Sequence, residues 1–136
     1  MKKIALLLAV IAVIAACSGQ PSKINGVSYV ASGDPTTQKQ VNYVKDVHAN
    51  YAAVMPFAFV RSLETPVLNF NHERQWYGER VQGVTQYTEM LQQNDIQVML
   101  KPQIWVWNGE FTGYLKMTSE EDWNTFETSY KEFILL

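Results

Sequence analysis

Ile96-Gln97-Val98-Met99-Leu100-Lys101-Pro102-Gln103-Ile104-Trp105-Val106-Trp107 is an apolar run with three polar side chains, Gln97, Lys101 and Gln103, all set into the same alternate positions. Alternation in a strand sends Val98, Leu100, Pro102 and Ile104 to one face and Gln97, Met99, Lys101, Gln103 and Trp105 to the other. The first set belongs under helices. The second brings an ammonium, an amide and an indole to one surface near the carboxyl end of the strand. A lysine in so apolar a run must reach water or find a partner, because an isolated buried ammonium is costly enough to change its protonation. Lys101 and Gln103 therefore read as donors to ligand hydroxyls, with Trp105 or Trp107 as a stacking platform; the alternative is a break at Pro102 that lets Lys101 reach solvent.

Outward from this stretch, strand and helix patterns alternate. Ile24 to Ala31 reads as a strand ending in the turn cluster Ser32-Gly33-Asp34-Pro35, and Val41, Val44 and Val47 then recur at helical spacing. Tyr51 to Phe59 is almost wholly apolar, as a strand buried on both faces would be. From Ala58 to Trp76 no period is evident, which predicts a long functional loop. A helix over Gly78 to Asn94 places Val81, Val84, Tyr87 and Leu91 on one stripe. Thr118 and Glu121 have capping-box spacing before a last helix with Trp123, Phe126, Tyr130, Phe133 and Ile134. Three strand–helix units in series predict an α/β fold with a parallel sheet, the first three βα units of a (β/α)8 barrel, truncated, since the last apolar stripe reaches Leu136 without a stop signal.

The first residues carry a different message. Met1-Lys2-Lys3, an apolar run from Ile4 to Ala16, and Cys17-Ser18-Gly19 have the order of an export signal, and the run is too short for a spanning helix. Ile14-Ala15-Ala16-Cys17 resembles a lipobox, in which the thiol is acylated and the chain is cut before it. Residues 1–16 are thus expected to be a lipoprotein signal peptide, 17–23 a lipidated tether and 24–136 the partial barrel domain. Cys17 is the only cysteine, so no internal disulfide is available. Ser18 is not the Asp that resembles an inner-membrane retention signal, so the expected location is the cell envelope at the outer membrane.

Without Lys2 and Lys3 the mature chain keeps 9 basic residues against 13 acidic ones, a formal charge of −4, and no basic cluster; nucleic acid is excluded as a partner. His48 and His72 are far apart, so neither a metal site nor a cofactor is expected. Aromatic residues make up 12%, including four Trp, which suits a sugar ligand if enough of them are exposed.

Gly26-Val27-Ser28-Tyr29, Val54 to Phe59 (VMPFAF), Gln75 to Arg80 (QWYGER), Val98 to Trp105 (VMLKPQIW) and Glu110-Phe111-Thr112-Gly113 together resemble glycoside hydrolase family 113. The resemblance covers nearly all of the mature chain, in order. It implies a (β/α)8 barrel that hydrolyses β-1,4-mannan with retention, and it marks Trp76, Arg80, Lys101, Gln103 and Trp105 as substrate-lining candidates. Retention needs an acid and a nucleophilic carboxylate about 5 Å apart. The resemblance places both after later strands than the three read here, so no catalytic residue is assigned among Glu73, Glu79 and Glu110, and Glu79 reads as an ion-pair partner of Arg80. The chain is expected to be inactive alone, to bind a β-mannan-like polysaccharide or oligosaccharide, and to self-associate through open sheet edges. A non-catalytic glycan-binding lipoprotein module is the alternative.

Overall fold

The computed structural model describes residues 23–135; the expected signal peptide, Cys17 and all of the expected tether except Lys23 lie outside them. In chain order the elements are β1 (Gly26–Tyr29), α1 (Gln38–Asp46), β2 (Tyr51–Val54), β3 (Phe57–Val60) and β4 (Asn69–Phe70). A 3-10 turn (Tyr77–Glu79) leads into α2 (Val81–Gln92), followed by β5 (Gln97–Leu100), β6 (Gln103–Val106), a second 3-10 turn (Thr112–Tyr114) and α3 (Glu120–Ile134). No helix among the described residues is long and apolar enough to cross a membrane.

The strands form two three-stranded sheets, ordered β1-β2-β5 and β4-β3-β6. The first is parallel throughout; in the second, β3 pairs parallel with β6 and antiparallel with β4. This overturns the expected opening of a (β/α)8 barrel. No helix separates β2 from β3, β3 from β4, or β5 from β6, so the order is not a repeat of strand–helix units. Proline is the physical cause of two of those divisions. Pro56 and Pro102 supply no amide hydrogen, and each splits a run that reads as one strand into two short ones. The antiparallel return at β4 falls in the segment expected to be a structureless loop.

Tyr51 to Phe59 is likewise not buried on both faces. Ala52, Val54, Ala58 and Val60 are buried, whereas Tyr51, Ala53, Phe57 and Phe59 are only half-buried, so cover lies on one side. Over the first sheet, Val41 and Val44 of α1 and Tyr87 and Leu91 of α2 close on Ala52, Val54 and Ile96. Over the second, Phe133 of α3 closes on Ala58, Val60, Leu68 and Val106. A fully buried aliphatic side chain such as Leu91 contributes roughly 1.5–3 kcal/mol.

Polar anchors fix these layers. The Tyr87 hydroxyl donates to the Asp34 carbonyl at 2.8 Å and shares a 2.8 Å bond with Ser32 Oγ, which holds the β1–α1 loop against α2. Buried Ser129 of α3 accepts from the Leu68 amide at 3.0 Å. The cap of α3 lies one residue beyond the expected Thr118: Ser119 Oγ accepts from the Asp122 amide at 3.1 Å. The Asp122 carboxylate in turn accepts from the hydroxyls of Ser119 and Thr118, which hold its pKa below the usual range. Three acidic residues in that first turn also suit the positive end of the helix dipole.

Candidate functional site: an aromatic row on the uncovered sheet face

Both helical layers lie on the same side of the strands, and no helix among the described residues covers the opposite side. The amides of Gln97, Lys101, Gln103 and Trp107 donate to Asn50, Val54, Pro56 and Val60 carbonyls, each at 2.9 Å. Amides that point the same way belong to side chains on the same face, so the alternation set by β5 passes through Pro102 into β6 without a slip. Gln97, Met99, Lys101, Gln103, Trp105 and Trp107 therefore share the uncovered face, as the sequence predicts for five of them. A further rung of this ladder would run from residue 56 to the Lys101 carbonyl. Pro56 cannot donate, and the Gln103 side-chain amide approaches that oxygen at 3.5 Å instead.

The same face of β3 presents Phe57 and Phe59. Phe57 and Trp105 form a T-shaped pair, centroids 5.9 Å apart at 69°, and so do Phe59 and Trp107, 5.8 Å at 72°. The two phenyl rings are 6.3 Å apart and nearly parallel, at 25°. Trp105 keeps 54% and Trp107 73% of its surface exposed, far more than a core indole would. Four rings thus line one open surface. Beyond Trp107, Phe111 and Tyr114 form another exposed pair with centroids 5.3 Å apart, and the absent side chain of Gly113 leaves room for the Phe111 ring.

Lys101 is exposed at the junction of β5 and β6, without a side-chain partner among the described residues. It borders the aromatic row in solvent, so the cost of burying an ammonium does not arise. Gln103 and Trp105 belong to the row itself. Trp76 and Arg80 belong to a separate segment, and no described hydrogen bond or ring contact joins them to it. That segment is pinned to the loop after β1 and to the start of β3: the Gly78 amide donates to Ser32 O at 2.9 Å and the Gln75 side chain to Phe57 O at 2.9 Å. Trp76 is exposed there. The Arg80 guanidinium lies over the Tyr77 ring, 5.8 Å from its centroid, and not against Glu79 as expected; the one ion pair among the described residues is Lys116 with Glu64.

Glu79 accepts from the Trp76 amide at 3.2 Å and lines a groove of about 420 Å³ between α2 and α3, floored by Pro56, Leu100 and Pro102. Burial pushes its carboxyl above the usual carboxylate range, against the lowering effect of that amide. Its native pKa exceeds the unfolded one, so the fold loses stability as pH rises from the unfolded value through the native one. Glu79→Gln is expected to raise stability at pH 7 by less than about 1 kcal/mol, since the carboxyl keeps access to water. Denaturant titrations should show that gain vanish as pH falls well below the unfolded carboxyl's ordinary value, where both side chains are neutral; a gain independent of pH refutes the assignment.

Glu110 sits elsewhere, accepting from the Asn108 side chain at 2.7 Å in the loop after β6. Neither histidine is poised as a ligand. His48 adopts a left-handed backbone (φ 55°) where α1 ends, and His72 Nδ1 accepts from the Arg74 amide at 3.2 Å. No group of three or more His, Cys, Asp or Glu among the described residues is placed to hold a metal ion.

Phe57 and Phe59 are the site residues that sequence reasoning missed. Phe-Ala-Phe-Val alternates as plainly as Gln-Ile-Trp-Val, but only the pairing of Phe57 with Gln103 and Phe59 with Trp105 shows that the aromatic faces coincide. The chain matches no protein-family model and no curated protein.

Proposed function

We propose that this chain is a glycan-binding protein of the cell envelope, related to glycoside hydrolase family 113, that holds a β-mannan-like polysaccharide on its aromatic row and does not cleave it by itself. The observation that carries the reading is the row of Phe57, Phe59, Trp105 and Trp107, with both indoles more than half exposed and the amide of Gln103 and the ammonium of Lys101 beside them. Indole faces take the apolar C–H faces of sugar rings, and the amide and ammonium donate to the hydroxyls at their edges. Glu79 and Glu110, each bonded within its own loop, give no support to a paired acid and nucleophile.

Lipid on Cys17 is the proposed anchor, because each acyl methylene contributes about 0.8 kcal/mol on burial in a bilayer. Cys17→Ser is expected to abolish incorporation of labelled palmitate and to release the chain from the membrane fraction; labelling that persists refutes the lipobox reading. The binding half is tested on the full-length protein in detergent by calorimetric titration with β-1,4-mannotetraose, run beside a reducing-sugar assay on β-mannan. Saturable binding with no turnover is the expected result. Turnover that Glu79→Gln or Glu110→Gln removes would replace the proposal with an enzyme.

A further inference from the structure

We infer that Phe57 and Phe59 are positioning residues that fix the ring planes of Trp105 and Trp107, and that the two Phe–Trp units are tandem subsites for consecutive rings of an uncharged glycan chain. The inference rests on the glycan-binding reading above and adds to it a ligand length and two residues that act through others.

Register and ring contacts do not coincide, and the mismatch is the key. Phe57 lies opposite Gln103 and Phe59 opposite Trp105, yet each phenyl meets the indole two residues further along: Phe57 meets Trp105 and Phe59 meets Trp107. Diagonal neighbours of this kind are within reach of large side chains. The two contacts have nearly the same separation, 5.9 and 5.8 Å, and nearly the same angle, 69° and 72°, and the phenyls are themselves almost parallel. The second unit is thus close to a copy of the first, displaced by two residues of a strand, about 6.6 Å.

A T-shaped contact with a phenyl ring restricts rotation of each indole about its side-chain bonds. Edge-to-face pairing is favoured by the ring quadrupoles, and half-buried Phe57 and Phe59 are held by the strand that also carries core residues Ala58 and Val60. The exposed indoles therefore meet a ligand already oriented, and the entropy of ordering them is not charged against binding. A unit repeated along a strand suits a polymer whose own unit repeats, where a single sugar would engage only one copy. Phe57, Phe59, Gln103, Trp105 and Trp107 include no carboxylate and no cation, so the row itself favours neutral rings; Lys101 stands at one end of it.

The test uses the full-length protein in detergent, titrated with mannose, β-1,4-mannobiose and β-1,4-mannotetraose, with near-ultraviolet circular dichroism of the same samples. Mannose should not bind measurably, and affinity should rise from the disaccharide to the tetrasaccharide. Phe57→Leu and Phe59→Leu should each weaken tetrasaccharide binding about fivefold, the scale of one aromatic pair. Both should reduce the near-ultraviolet indole bands while far-ultraviolet spectra stay unchanged, and Phe57→Tyr should restore both readouts. Unchanged affinity and unchanged indole bands in both leucine variants overturn the positioning role, while wild-type binding that Trp105→Ala removes leaves the glycan reading standing. Binding of mannose as tight as that of the tetrasaccharide overturns the tandem subsites. If the unsubstituted chain binds no mannooligosaccharide, the glycan reading and the subsites fall together, and the indole bands still decide whether Phe57 and Phe59 orient the tryptophans.

Discussion

Gly83→Ala is expected to destabilise the fold by about 3 kcal/mol or more, against the usual sign of a glycine-to-alanine change inside a helix, which gains about 1 kcal/mol. Gly83 is the third residue of α2. A Cβ there would lie 1.8 Å from the Tyr77 carbonyl oxygen, 2.5 Å from its carbon and 2.8 Å from the Gly78 Cα. These are backbone atoms, so no rotamer change removes the overlap. Displacing the 3-10 turn would in turn strain the Gly78–Ser32 bond and press Gly78, whose own Cβ would meet the Tyr87 hydroxyl at 2.6 Å, into the core. The damage thus reaches the anchors that hold β1, α1 and α2 together. Gly33 is the matched control: a Cβ there meets nothing within 4 Å, and alanine should be neutral or stabilise by about 0.5 kcal/mol. Denaturant midpoints decide it, and a Gly83→Ala protein as stable as the wild type sinks the packing argument.

That prediction could not come from the sequence, in which Gly83 is only a weak point in a helical pattern. What the sequence did carry was local periodicity. Val41 and Val44, Tyr87 and Leu91, and Phe133 are the buried residues that the helical stripes mark. Val47 was expected to continue the first stripe but is exposed, because α1 ends at Asp46 and the left-handed His48 turns the chain away. The division of 97–105 into two faces also holds, with one exception. Leu100 belongs to the helix side yet remains 55% exposed, since it floors the open groove between α2 and α3.

Non-local facts were not legible. Period alone does not say whether an apolar run is one strand or two. Pro56 lies inside a run that reads as a single strand, and the break at Pro102 with Lys101 in solvent is only the alternative reading, yet both prolines divide strands whose face pattern continues beyond them. The barrel expectation failed there, and in the antiparallel return of β4, which two residues at the end of an aperiodic stretch do not announce. Of the five candidate site residues, Gln103 and Trp105 lie in the aromatic row and Lys101 borders it. Trp76 and Arg80, separated by their own hydrogen-bonded segment, do not join it. Phe57 and Phe59 were visible as letters but not as partners, because cross-strand pairing joins residues more than forty positions apart.

Trp105→Ala should separate binding from folding. The indole is 54% exposed and belongs to neither buried cluster, so its loss should cost the fold no more than its edge-to-face contact with Phe57, about 1 kcal/mol. In the proposed binding mode it is the central platform, flanked by Gln103 on its own strand and continued by Trp107. Truncating such an aromatic anchor typically costs 2 kcal/mol or more, so tetrasaccharide affinity should fall roughly thirtyfold or beyond calorimetric detection. Trp107→Ala, at the more open end of the row, should weaken binding less. Stability and affinity measured on the same preparations make the comparison decisive. Were Trp105→Ala to lower stability by several kcal/mol and leave affinity intact, the row would be packing surface, and the uncovered face would have to be explained without a sugar.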